Sequence, residues 1–137
     1  MKFLLDTNTC VYALNQSDPG LADRLRAARR SDLFVSSLTV GELLFGARRS
    51  ARSVENAKRV ARFVSPLREL QFDRLAAEAY ASLRAELAEA GLQFGPVDML
   101  IAATALAHGL TVVTNNVREF KRAAGLKIEN WATPARH

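Results

Sequence analysis

The chain has 137 residues and a formal net charge of +5, with one cysteine and two histidines. One cysteine excludes an internal disulfide, and the composition also excludes a zinc site built from clustered cysteine and histidine. No apolar stretch reaches the ~18 residues that span a membrane, and Asp6 cuts the opening apolar run too early for a signal peptide, so we expect one cytoplasmic domain over residues 1–137.

Hydrophobic periodicity predicts strands that alternate with helices along the chain. In the first part we expect a strand over 2–5, helices over 7–15 and 20–30, a strand over 33–36 and a helix over 39–49. The second part contains a helix over 53–64, a strand over 67–71, helices over 73–90 and 96–108, a strand over 110–114, a short helix over 117–123 and an edge strand over 127–130. Strands separated by helices favour an α/β fold with a parallel sheet covered on both faces.

Basic residues concentrate in one part of the chain. Residues 21–62 contain ten basic residues and four acidic ones. Arginine side chains match phosphate oxygens, so this segment would suit a polyanionic substrate. Solvated helix faces are the alternative explanation.

Oxygen-bearing side chains stand at the ends of apolar runs in four places. They are Asp6, Glu42, Asp98 and the pair Asn115–Asn116. A parallel sheet gathers its strand ends at one edge, where open α/β sheets bind their ligands. Three carboxylates gathered there would repel one another unless a divalent cation bound them. The sequence therefore predicts a hydrolytic site of the magnesium type.

Helix capping and turn formation explain each of these positions when it is taken alone. Asp6 could cap the helix that follows it, and Asp98 lies where a carboxylate complements a helix dipole. Thr39 and Glu42 have the spacing of a capping box. The asparagine pair fits a turn. The site prediction therefore rests on the four positions together.

Four blocks occur in order along nearly the whole chain: Leu4–Cys10, Ser36–Leu43, Gly95–Ala102 and Val113–Phe120. They resemble the blocks of a PIN-domain ribonuclease and, within that family, of the VapC toxins of bacterial toxin–antitoxin pairs. The resemblance implies a three-layer α/β/α fold with a central parallel sheet of about five strands. It also implies a homodimer.

The resemblance implies a role for each predicted site residue. The first three acids of the family map to Asp6, Glu42 and Asp98, and the fourth position falls on Asn116, with Asn115 as the other register. Asp6 and Asp98 would hold Mg²⁺, for which Mn²⁺ could substitute. Glu42 would orient or deprotonate the attacking water, and Asn116 would position a water or the phosphate, so both would reach the metal through water.

Four further polar residues flank these positions: Thr7, Asn8, Thr114 and Asn115. We expect them to orient the carboxylates by hydrogen bonding. Three aromatic residues also lie near the predicted edge, namely Tyr12, Phe45 and Phe94, and we interpret them as core residues.

The resemblance implies hydrolysis of RNA, with transfer RNA, initiator tRNA in particular, as the expected substrate class. It also implies a VapB-type antitoxin whose C-terminal segment covers the site, and operator DNA bound only through that antitoxin.

Two alternative functions belong to other classes of protein. One is a catalytically silent PIN-like module that binds RNA or protein. The other is an aspartyl-phosphate phosphotransferase or phosphatase with Asp6 as nucleophile, although Asn8 then replaces the second acid that such enzymes use.

Overall fold

Five strands form one parallel sheet in the computed structural model, which describes residues 1–132. In chain order they are β1 (Phe3–Leu5), β2 (Leu33–Ser36), β3 (Arg68–Leu70), β4 (Thr111–Val113) and β5 (Lys127–Glu129). Across the sheet the order is β3-β2-β1-β4-β5. The predicted five-stranded parallel sheet is confirmed. Residues 133–137, the end of the predicted domain, lie outside the described residues.

Seven α-helices flank the sheet within residues 1–132. They are α1 (Thr7–Leu14), α2 (Pro19–Ala27), α3 (Ser37–Arg49), α4 (Ser53–Val64), α5 (Arg74–Ala90), α6 (Pro96–His108) and α7 (Val117–Phe120). Each predicted helix is present, but the predictions of helices up to residues 30 and 123 are wrong at those ends, since α2 ends at Ala27 and α7 at Phe120. Ala28 is extended, with φ −76° and ψ 148°, and Arg30–Asp32 form a short 3-10 turn instead.

Side chains of each inner strand alternate between two apolar clusters, one on each face of the sheet. Leu4 of β1 packs with Phe34 and Val112 in a cluster that includes residues of α5, α6 and α7. The next residue, Leu5, packs with Val35 in a cluster that includes residues of α1, α2, α3 and α4. Helices therefore cover both faces, and the predicted three-layer α/β/α architecture is confirmed.

The register of the inner strands fixes where the chain leaves the sheet. Leu5 of β1 pairs with Val35 of β2 and with Val113 of β4. Because these strands are parallel, Asp6 and Thr114 follow at the same edge of the sheet, which we call the carboxyl edge.

No helix within residues 1–132 is long and apolar enough to cross a membrane.

Replacing Ile101 with valine should lower the free energy of unfolding by about 1 kcal/mol, because the side chain is fully buried in α6 and the change leaves a methyl-sized void. Both residues are β-branched, so helix propensity changes little. Urea denaturation measures the difference. Val54→Ala removes methyl groups from a side chain that is 67% exposed and should stay within about 0.5 kcal/mol of wild type. Equal losses in the two variants would contradict the packing assigned to Ile101.

Candidate active site

Asp6 lies at the carboxyl edge, directly after β1. Its backbone N–H donates to the Val113 carbonyl at 3.1 Å, which extends the pairing of β1 with β4 by one residue. Its side chain is 1% exposed, and Oδ1 accepts the Thr9 amide at 2.8 Å, so Asp6 is the N-cap of α1. The capping explanation is therefore correct for this residue. It does not exclude a site role, because a carboxylate has capacity for further ligands.

The environment of Asp6 combines burial with hydrogen bonds to the charged form. Burial raises the pKa of Asp6, while hydrogen bonds from Thr114 and Thr9 act in the opposite direction. The Glu119 charge adds a further upward contribution to this pKa. The Thr9 hydroxyl also donates to the Val113 carbonyl at 3.0 Å. Asp6 is thus held in one orientation by neighbours from α1 and from the segment after β4.

Asp98 and Glu119 approach each other across Gly95, the residue that precedes α6. A Cβ atom placed on Gly95 would lie 3.5 Å from Asp98 Oδ2 and 3.6 and 3.7 Å from the two oxygens of Glu119. The Gly95 N–H donates to Glu119 Oε2 at 3.3 Å. Asp98 is the third residue of α6 and Glu119 the third of α7. The two helix starts therefore bring two carboxyl groups to one point.

The pKa of Asp98 is raised to about 7. Burial is the largest cause, followed by a hydrogen bond with Glu119, the charge of Glu119 and the charge of Asp6. These three acids form one electrostatically connected group, which we call the acid cluster (Asp6, Asp98 and Glu119). Mutual repulsion and burial favour a proton on Asp98 when no cation is bound.

The acid cluster fits an open, partly hydrated cation site. Within residues 1–132 no group of three His, Cys, Asp or Glu side chains is placed so that it could hold a metal ion. Glu119 Oε1 is nevertheless buried without a hydrogen-bond partner. Mg²⁺ is commonly bound by one or two carboxylates and keeps several waters, so a closed protein cage is not required. Asp98 and Glu119, with Asp6 nearby, supply the hard oxygen donors that such an ion prefers.

Glu42 is exposed on α3. It lines a cleft of about 260 Å³ between α1, α3 and α4. The capping-box explanation for Glu42 is wrong, because α3 begins two residues earlier than predicted and Ser36 is its N-cap, accepting the Leu38 amide at 3.1 Å. Thr39 instead pairs its hydroxyl with that of Thr7 at 3.1 Å, which ties the start of α1 to α3.

The asparagine pair forms the turn between β4 and α7. The Asn116 N–H donates to Thr114 Oγ1 at 2.9 Å, and the Asn115 amide donates to the Tyr12 hydroxyl at 3.2 Å. Asn116 occupies the N-cap position of α7 without a side-chain cap bond. Its role toward water or phosphate stays a prediction. Asn8 is exposed on α1.

Sequence reasoning missed Glu119 and Thr9 as residues of the site. Glu119 lies in the last of the four sequence blocks, three residues after Asn116, and one turn of α7 brings it to Asp98. A carboxylate in the first turn of a helix next to a predicted site was the available signal. Thr9 carried a similar signal, since the third residue after an N-cap donates to the cap.

The aromatic prediction is only partly correct. Phe94 is buried and packs edge-on against Phe120 with ring centroids 5.5 Å apart. Tyr12 and Phe45 are 37% and 59% exposed, so the expectation that they belong to the core is wrong. Both lie on helices whose other face packs on the sheet, which leaves these positions toward solvent.

Several basic residues of the segment 21–62 have protein partners. Arg24 and Arg52 form ion pairs with Glu129 and Glu55, at 3.1 and 3.3 Å. Arg24 also stacks over the Trp131 ring, 4.9 Å from its centroid. Exposed pairs of this kind contribute little to stability and leave the charge accessible to a polyanion.

A comparison with known protein families identifies the family of this chain. The family model described as "PIN domain" matches residues 3–126. The chain belongs to the PIN-domain family. The resemblance inferred from the four sequence blocks is therefore confirmed.

Individual relatives place this PIN domain beside the VapC proteins. The tRNA(fMet)-specific endonuclease VapC of Salmonella typhimurium is 41% identical over 131 residues, which cover 96% of this chain and 98% of the relative. The protein of the same name from Shigella flexneri is 38% identical over 132 residues, covering 96% and 99%.

Solved structures give the same result for the fold. The structure of DNA-bound VapBC from Salmonella typhimurium contains a chain with a TM-score of 0.91 and 41% identity, covering 96% of this chain and 99% of that one. VapBC2 from Rickettsia felis, bound to a DNA fragment from its promoter, gives a TM-score of 0.90 at 36% identity, with coverages of 96% and 99%.

Proposed function

We propose that this PIN-domain protein is the toxin of a VapBC-type pair and an endoribonuclease that hydrolyses RNA phosphodiester bonds with the help of Mg²⁺. The observation that carries the proposal is the acid cluster, which lies at the carboxyl edge of a PIN fold and contains a buried, unpartnered carboxylate oxygen at Glu119. Relatives of nearly equal length that are named as endonucleases support the same reaction class.

In the proposed mechanism, Asp6 and Asp98 would hold the cation, with Glu119 beside Asp98 as a further oxygen donor. A bound Mg²⁺ would neutralise charge on the phosphoryl oxygens and make a water more acidic. The protein itself holds the Asp6 carboxylate in place through Thr9 and Thr114. The proton on Asp98 must leave before its carboxylate can serve as a ligand.

The remaining predicted residues act around the cation in this proposal. Glu42 would orient the attacking water or accept its proton, which requires that substrate binding bring the water to the rim between the acid cluster and α3. Asn116 would hold a water or a phosphate oxygen, since its amide offers both donors and an acceptor. Mn²⁺ should substitute for Mg²⁺, because it also accepts oxygen ligands in octahedral geometry.

Initiator tRNA is the proposed substrate. Two relatives at 41% and 38% identity over nearly the whole chain are named tRNA(fMet)-specific endonucleases, and this chain carries a net charge of +5 that suits a polyanion. Structured RNA is recognised through shape and phosphate contacts as well as through unpaired bases.

A VapB-type antitoxin is the proposed partner, because solved neighbours of this fold are VapBC complexes. The cleft beside Glu42 offers an apolar floor, with Val11, Leu43 and Val60 among its lining residues, and the C-terminal segment of the antitoxin could cover it. Operator DNA would be bound through the antitoxin. We retain a homodimer and a cytoplasmic location as part of this proposal.

Cleavage of purified initiator tRNA tests the proposed function. The wild-type protein with Mg²⁺ should cut initiator tRNA at one position and leave elongator methionine tRNA intact, and EDTA should abolish cutting because the acid cluster then has no cation. Denaturing gels and sequencing of the fragment ends give the readout. Equal cutting in EDTA would contradict the metal dependence, and equal cutting of both tRNAs would contradict the substrate assignment. Intact RNA under folded protein would favour the catalytically silent binding module.

The aspartyl-phosphate alternative has less support from the geometry. Asp6 is 1% exposed and engaged as a helix cap, whereas a nucleophile must reach the phosphorus atom in line with the leaving group. Asn8, the position of the second acid in such enzymes, is exposed on α1.

A further inference from the structure

Gly95 has a backbone conformation that does not require glycine. Its φ of −58° and ψ of 138° are ordinary for any L residue. Gly91, Gly109 and Gly125 differ, because their φ angles of 66°, 64° and 81° lie in the left-handed region that favours glycine. A reason for glycine at position 95 must therefore come from the space around it.

That space borders the acid cluster. A Cβ atom on Gly95 would have three carboxylate oxygens as its nearest neighbours, one from Asp98 and two from Glu119, at 3.5 to 3.7 Å. At Gly41 and Gly46 a Cβ atom would meet no heavy atom within 4 Å. The missing side chain of Gly95 thus leaves room for a methyl group directly beside both carboxylates of the pair.

The backbone of Gly95 also fixes Glu119. Its N–H donates to Glu119 Oε2, while Oε1 of the same carboxylate is buried without a partner. Two residues earlier, the Gln93 carbonyl accepts from Arg122 Nη1 at 2.6 Å. The segment before α6 therefore contacts α7 and the residues after it at two points, and it fixes one oxygen of the Glu119 carboxylate.

We infer that Gly95 is a positioning residue of the cation site: its amide orients Glu119, and its missing side chain keeps the space beside Asp98 and Glu119 open for an ion and its waters. This inference rests on the proposed divalent-cation function. A methyl group at this place would make ordinary van der Waals contacts, so the fold should persist. An apolar carbon cannot solvate charged oxygens, however, and it would fill the space beside the two carboxylates.

Direct binding of Mn²⁺ tests the inference without relying on cleavage. Electron paramagnetic resonance of free Mn²⁺ gives the dissociation constant for wild type, Gly95→Ala and the matched control Gly41→Ala, which adds the same methyl group in open space. We expect about 10- to 100-fold weaker binding for Gly95→Ala and no change for Gly41→Ala. The melting temperature of Gly95→Ala should stay within about 4 °C of wild type.

A serine at position 95 separates loss of space from loss of solvation. The serine side chain occupies the volume of the alanine methyl group plus one oxygen atom. Its hydroxyl can donate to a carboxylate, so Gly95→Ser should bind Mn²⁺ more tightly than Gly95→Ala. Equal Mn²⁺ affinity in wild type and Gly95→Ala would overturn the inference, as would loss of the fold in Gly95→Ala.

The inference and the proposed function can fail separately. If wild type binds Mn²⁺, Gly95→Ala binds it weakly and no RNA is cut, the proposed ribonuclease function fails and the role of Gly95 stands. If RNA is cut and Gly95→Ala binds Mn²⁺ like wild type, only the role of Gly95 fails.

Discussion

Asp6→Asn is expected to lower the rate of RNA cleavage by about 10²- to 10³-fold while leaving the fold intact. Asparagine caps a helix as well as aspartate does, so the Thr9 amide keeps an acceptor and α1 should still form. The variant loses only the negative charge that the proposed cation requires. Single-turnover cleavage of initiator tRNA gives the rate, and circular dichroism reports the fold.

Asp18→Asn is the matched control for this change. Asp18 is the N-cap of α2, and its Oδ1 accepts the Leu21 amide at 3.0 Å, the same contact that Asp6 makes in α1. Asp18 is not a member of the acid cluster, so its variant should cleave RNA at the wild-type rate. Similar losses in both variants would show that the defect comes from helix capping, and the catalytic assignment of Asp6 would then be wrong.

The fold could be predicted from the sequence because its signals are local and mutually consistent. Leu4 and Leu5 are both buried, on opposite faces, so β1 has a continuous apolar run rather than an alternating one. Gly91 and Gly109 end α5 and α6 in the left-handed conformation, each directly after the predicted end of its helix at residues 90 and 108. The end of α2 was wrong because nothing in its composition marks Ala28 as extended.

The site could be predicted only in part, because spatial proximity is not a local property of the sequence. Asp6 was found because it follows a buried strand. Glu119 was missed because it lies beside the charged Arg118 on a helix of four residues and looks like an ordinary surface acid. Its place in the acid cluster depends on how α7 packs against Gly95, which involves residues 24 positions apart.

The capping-box argument for Glu42 was wrong because the predicted start of α3 was two residues too late. The residues Thr39 and Glu42 have the right spacing for a capping box, yet Ser36 begins the helix, so the box cannot form. Competing start signals three residues apart cannot be ranked without the register of β2, which ends at Ser36. The sequence therefore identified Glu42 as unusual without establishing what it contacts.

The affinity for Mn²⁺ should depend steeply on pH below about 7. The pKa of Asp98 is raised to about 7, and a cation competes with the proton on this carboxyl. Below that pKa, each pH unit lowers the deprotonated fraction about tenfold, so affinity should fall about tenfold per unit and level off above pH 7. Titrations of Mn²⁺ between pH 5.5 and about 8.5 measure this profile.

The raised pKa of Asp98 also predicts how the stability of the metal-free protein depends on pH. A carboxyl group whose folded pKa exceeds its usual value binds its proton more tightly in the folded state. The stability of the metal-free protein should therefore fall as pH rises from about 4 to about 7, and bound Mn²⁺ should oppose that loss. Urea denaturation in EDTA measures the loss, and stability that rises across this window would contradict the assignment.

Glu119→Gln tests the cause of the raised pKa of Asp98. The substitution removes the Glu119 charge, so the Asp98 pKa should fall and the bend in the Mn²⁺ profile should move below pH 7. Affinity above pH 7 should nevertheless drop about tenfold, because one oxygen donor has lost its charge. Glu89→Gln, an exposed position on α5, should leave the profile unchanged. An unshifted bend in Glu119→Gln would mean that burial and the Asp6 charge set the pKa of Asp98 without Glu119, and Glu119 would then contribute to the cluster as a ligand only.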